Sequence, residues 1–237
     1  MVEVKTYTIP PTRLIPNSPY KLLHYPGLLL KETESPSAIT ETVFDRFAQN
    51  GWQCQWIARY GPTQISHYHS GAHECMAVIS GEGAAIRFGV ADTSEDLEES
   101  TRGHGFEAGG VTVQAGRGDV FVVPAGVAHK THFPKPDLPE GEGLRFFSPE
   151  KAHELSEADA KRILTDVKVE GEFMMMGAYP VGSAWDFAVG GDHEGRFGDV
   201  WNVPKPEKDP VLGLSEEGLK GLWREEEKLG VKTKANL

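Results

Sequence analysis

Between Gln53 and Phe133 the chain breaks into short apolar runs separated by Gly, Pro and Asp. These runs read as strands near 53–60, 65–69, 73–80, 83–89, 110–115, 119–124 and 128–133. Closely spaced strands with glycine turns predict an all-β barrel or sandwich. The run from Cys75 to Ile79 is apolar at every position, on both faces of its strand. Such a strand must be covered on both sides. The N-terminal arm, a C-terminal helix or a second copy of the chain could supply the outer cover.

The flanks read differently. Residues 1–35 are Pro-rich and extended; Ile39, Val43, Phe44 and Phe47 then form a helical stripe. Ser37 suits its N-cap and Gly51 its stop. Residues 1–50 are thus an arm and helix lying on a barrel of residues 51–190. That barrel carries two insertions, near 91–109 and 134–170. The first is acidic and reads as a solvated excursion; the second holds a short helix capped by Ser156. Glu172–Tyr179 returns to strand, and its methionines read mainly as core. Residues 191–237 form a C-terminal loop and helix, the helix over Ser215–Leu229.

Composition excludes several functions. With 35 acidic against 24 basic residues the net charge is −11, which argues against nucleic acid or an anionic membrane as partner. No apolar stretch nears the roughly 20 residues that span a bilayer. The N-terminus carries no apolar core of a secretory signal, so the cytoplasm is the expected location. Cys54 and Cys75 are too few for a disulfide framework and read as reduced core residues.

The chemistry concentrates in the histidines, six of which fall between residues 67 and 132. In an extended chain His67 and His69 project to one face and Tyr68 to the other. A turn at Ser70–His73 then brings Glu74 back beside the two imidazoles. Much later, a Pro/Gly turn at Pro124–Gly126 precedes His129, whose face Thr131 and Phe133 are expected to share, while His132 is expected to point outward and be exposed. This mixed N/O set suits Fe, Mn, Ni, Co or Zn rather than Ca or Mg. An octahedral ion would keep two open positions on four such ligands, and a tetrahedral zinc none. The spacing does not choose between them.

Gly61, His67, His69, Glu74 and Gly81 match the motif G-x5-H-x-H-x(3,4)-E-x6-G, and Gly118, Pro124, Gly126 and His129 match G-x5-P-x-G-x2-H-x3-N. Only the last position departs, being Phe133. In these residues the chain resembles the cupins. In Asn17-Ser-Pro-Tyr20, Gly177-Ala-Tyr-Pro180 and Trp185-Asp186 it resembles the YjlB-like cupins, a group with no established reaction. The resemblance implies an RmlC-like double-stranded β-helix, an all-β jelly-roll barrel with a few peripheral helices. It also implies that His67, His69, Glu74 and His129 bind one divalent transition metal (Fe, Mn, Ni or Zn). The expected function is a metal-dependent enzyme on a small organic molecule. Oxygenase chemistry leads, followed by decarboxylase, isomerase or cyclase chemistry; the alternative is a non-catalytic cupin binding metal or a small ligand. No catalytic residue is assigned. The expected partner is a small-molecule ligand or substrate, and family habit adds a homodimer.

Overall fold

Which face a strand buries decides how this chain packs, and the central strands of the larger sheet are buried on both faces. The computed structural model describes residues 2–31, 39–169 and 171–224. In chain order the strands are β1 (Lys5–Tyr7), β2 (Leu22–Tyr25), β3 (Trp52–Arg59), β4 (Glu74–Ser80), β5 (Gly83–Phe88), β6 (Val111–Ala115), β7 (Val120–Val123), β8 (His129–Lys135), β9 (Arg145–Phe147) and β10 (Met174–Pro180). The helices are α1 (Ile39–Gln49), α2 (Leu97–Arg102), α3 (Glu157–Thr165), α4 (Phe197–Trp201) and α5 (Leu219–Leu222). All ladders are antiparallel, in a seven-stranded sheet ordered β1-β2-β7-β4-β10-β3-β9 and a three-stranded sheet ordered β6-β5-β8.

The inner faces of the two sheets share one core. Met76 and Val78 of β4, Phe121 and Val123 of β7, and Met175 of β10 meet Ile86 and Phe88 of β5 there. The opposite face of the large sheet builds a second core. Cys75, Ala77, Ile79, Met174 and Met176 lie under Leu23 and Tyr25 of the arm, Val43 and Phe47 of α1, Leu164 of α3, and Leu219 and Trp223 near the C-terminal end of the described chain. Each fully buried Leu, Phe or Met is worth about 1.5–3 kcal/mol. The outer cover therefore comes from both flanks of the same chain. The C-terminal segment is tied in by Asp209, whose fully buried carboxylate accepts the Tyr25 hydroxyl and the backbone N–H groups of Val211, Leu212 and Leu219.

Helix α1 follows the expected stripe, with Ile39, Val43, Phe44 and Phe47 buried. It ends where Gly51 turns to φ +77°, its N–H on the Ala48 carbonyl. Ser37 lies outside the described residues, as does the part of the expected C-terminal helix beyond Arg224; α5 is the helical turn within them.

Several expectations change. Residues 65–69 are not a strand; His67 and Tyr68 make single bridges to His129 and Ala188. The arm contributes β1 and β2, and the second insertion contributes β9. The acidic insertion is not simply solvated. Asp96 caps α2, and α2 turns its terminal carbonyls to the barrel, where Arg87 donates to the Ser100 and Thr101 oxygens. Beneath it Lys130 is fully buried, its ammonium 3.0 Å from Asp92 Oδ1 and 3.0 Å from Ser100 Oγ. His132, expected to be exposed, is buried as well. Phe133 does not share the face of His129. Its φ of +54° breaks the alternation, and its half-exposed ring lies under the Arg102 guanidinium.

Candidate metal centre

Pairing places the four expected ligands together. Glu74 opens β4 opposite Val123, on the inner face with Met76. His129 opens β8 opposite Phe88. The backbone of His67 exchanges two hydrogen bonds with that of His129, at 3.2 and 2.8 Å. Tyr68 points the other way, as alternation requires, and its hydroxyl meets His193 Nδ1 at 2.7 Å. The turn after His69 is pinned by Asp186, whose carboxylate accepts from Ser70 N, Ser70 Oγ and Gly71 N.

The three imidazoles are buried, and one ring nitrogen of each lies within 4.8 Å of the others. Each ring is oriented by a backbone carbonyl: Nδ1 faces Ile65 O at 2.9 Å in His67, Val127 O at 3.3 Å in His129, and Asp186 O in His69. A carbonyl can only accept, so Nδ1 carries the proton. In a neutral ring Nε2 then keeps its lone pair, the usual arrangement around a metal. Glu74 Oε1 lies 3.1 Å from His69 Nε2, and Oε2 lies 3.3 Å from His129 Nε2.

Three of the four shifts favour the ligating forms, neutral His67 and His129 and ionised Glu74, while that of His69 favours its pairing with Glu74. Burial, with the neighbouring His129 and His69, pushes His67 well below the usual histidine range. Burial also lowers His129. Burial opposes charge on His69, but Glu74 beside it holds its pKa above the ordinary value. Burial would raise Glu74 too; the adjoining His69 and His129, with the Tyr179 hydroxyl, bring it down to about 2. Its Oε2 is buried and makes no hydrogen bond. An ionised carboxylate oxygen without a donor is costly in such a place. Three imidazoles and this oxygen therefore fit a divalent transition metal.

The residues around this centre come from signals that spacing did not reveal. In β3, Trp56 opposes Gly177 and Cys54 opposes Ala178, so Gln55 is an extra residue. This bulge turns Trp56 and Ala58 inward while Cys54 faces the outer core. Gly177 then permits the approach of Trp56, because a Cβ there would fall 1.9 Å from Cε2 of the indole. Trp56 Nε1 donates to the Tyr179 hydroxyl at 2.9 Å, and that hydroxyl donates to Glu74 Oε1. The donors form part of the wall of a cavity of about 160 Å³, shared with Tyr60, Gln64, Phe146 and Trp185. The YjlB-like segments thus have structural roles. Asn17 donates to Pro10 O and Gly89 O, fastening the arm, while Gly177, Tyr179, Trp185 and Asp186 build the surroundings of the site.

No protein-family profile matches the chain. An uncharacterized protein of Bacillus subtilis (strain 168), YjlB, is 24% identical over 223 residues, covering 93% of this chain and 97% of its own. That similarity joins a barrel on which both spaced motifs bring their imidazoles together. The chain resembles the cupins in motif and fold. Among solved structures, RmlC from Streptococcus suis in complex with dTDP-D-xylose is 10% identical, over 78% of this chain and 76% of its own, with a TM-score of 0.33. A salicylate 1,2-dioxygenase mutant from Pseudoaminobacter salicylatoxidans, in complex with gentisate, is 14% identical, with a TM-score of 0.26. That match covers 55% of this chain and 20% of the dioxygenase chain. Among the described residues no helix is long and apolar enough to cross a membrane.

Proposed function

We propose that this chain holds one divalent transition metal on His67, His69, Glu74 and His129 and is a metal-dependent enzyme acting on a small organic molecule, with oxygenase chemistry the leading class. The supporting observation is the convergence of these side chains, remote in sequence, on one wall of an apolar cavity, with a carboxylate oxygen left without a hydrogen-bond donor. A bound metal would supply Lewis acidity or oxygen activation. The chain's own residues do the rest. Three backbone carbonyls fix the imidazole tautomers, the Tyr179 hydroxyl holds Glu74 Oε1, and the aromatic walls exclude water from the donors.

The test is metal analysis of the wild type and of His67→Ala and His129→Ala, followed by oxygen-uptake screening of the Fe(II)- or Mn(II)-loaded wild type. Near-stoichiometric metal, lost in both variants, is expected. Unchanged metal content in both variants would remove the ligand assignment. Metal that binds but has no exchangeable water, together with no turnover, would favour a non-catalytic binding cupin.

A further inference from the structure

Apart from Gln64 and the hydroxyls of Tyr60 and Tyr179, the walls of the cavity away from the four donors are apolar. Trp56, Phe146, Trp185 and Phe187 present rings, and Ala58 and Leu144 fill between them. Among the described lining residues none is Lys or Arg, and Glu74 is the acidic one. A ligand carrying an anionic group away from the four donors would therefore bury it against aromatic carbon without a cation, which is unfavourable. The mouth is apolar as well: Leu144, Phe146 and Phe187 are 43%, 46% and 52% exposed.

Size and shape narrow the class. The volume is about 160 Å³. A cavity of about 150 Å³ with apolar walls accommodates benzene. The rings around the cavity are set at several angles to one another. Phe187 lies parallel to the His67 imidazole at 4.3 Å and 10°, whereas Trp185 stands edge-on to His69 at 6.1 Å and 69° and to Phe146 at 5.7 Å and 72°. Flat faces and edges arranged this way favour a planar π-system.

We infer that the cavity takes a planar, largely apolar molecule about the size of one six-membered ring, polar at the end facing the histidines, and that it rejects phosphorylated and dicarboxylate compounds. The placement of the polar end rests on the metal-centre reading; the ring-sized body does not.

The experiment is ¹⁹F NMR of 4-fluorophenol with the full chain, metal-free and Zn-loaded, with metal content measured on the same samples. Saturable broadening is expected in both forms, without displacement by equimolar succinate or glycerol phosphate. Ala58→Leu, which fills the cavity, should weaken binding at least tenfold. Phe187→Ala, at a half-exposed position, should weaken it severalfold. The inference is overturned by the absence of binding in both forms, by displacement by either anion, or by wild-type affinity in both variants. Ring binding by a protein that takes up no metal would sink the metal reading and leave this one standing; metal uptake without ring binding would do the reverse.

Discussion

Replacing Gly177 with Ala tests how the site is built without touching a proposed ligand. Gly177 sits in β10, and its φ is not in the left-handed region, so an alanine backbone is unstrained there. The added methyl would lie 1.9, 2.1 and 2.3 Å from Cε2, Cζ2 and Nε1 of Trp56. The indole must move. Overpacking of this kind costs about 1–3 kcal/mol. Losing the Trp56–Tyr179 hydrogen bond adds about 0.5–1.5 kcal/mol. The expected destabilisation of Gly177→Ala is therefore about 1.5–4.5 kcal/mol. Urea unfolding followed by circular dichroism measures it, alongside Trp56→Leu and the double variant. With the indole gone, the methyl enters vacated space and should cost less than about 1 kcal/mol. The two changes should then couple by at least about 1 kcal/mol. Additive costs would refute the claim that this glycine exists to admit the indole.

Two further outcomes follow from the same neighbourhoods. Tyr179→Phe removes the hydroxyl between Trp56 and Glu74, and metal affinity should fall about 10–100-fold, as for other residues that orient ligands; chelator competition reads this, and unchanged affinity would show that Tyr179 does not position Glu74. Burial depresses His132 from 6.5 to about 4. The unfolded chain therefore binds a proton that the folded chain refuses, and stability falls as pH drops from about 6.5 to 4. The ceiling is about 3 kcal/mol, nearer 2 kcal/mol after solvent screening. His132→Gln should lose that much less between pH 7 and 4 in urea unfolding, and an identical pH profile would rule out His132 as a source.

The sequence made the core of the candidate site legible because turn geometry and spacing are local. His67, His69 and Glu74 sit on one reversal of the chain, and His129 follows a Pro/Gly turn. Alternation also assigned Met76 and Val78 to the inner face and Cys75, Ala77 and Ile79 to the outer one. It failed where something non-local intervened. The extra residue at Gln55 inverts the facing of Trp56, and no propensity marks it. Phe146 belongs to a three-residue edge strand, too short and too exposed to show a period. His132 has the outward parity that alternation predicts but is buried, and beside it the acidic insertion covers Lys130. Leu22–Tyr25 disappeared within a Pro-rich arm because four consecutive buried residues carry no alternation.

The position of β10, between β3 and β4, has a consequence for synthesis. A ribosome delivers β3 and β4 long before the strand that joins them. Until Met174–Pro180 emerges, the nascent chain holds two facing hydrogen-bonding edges open, both lined with apolar side chains. Open edges of this kind invite pairing between molecules. The yield of properly folded protein should therefore depend on translation speed and chaperone supply more than its finished stability suggests.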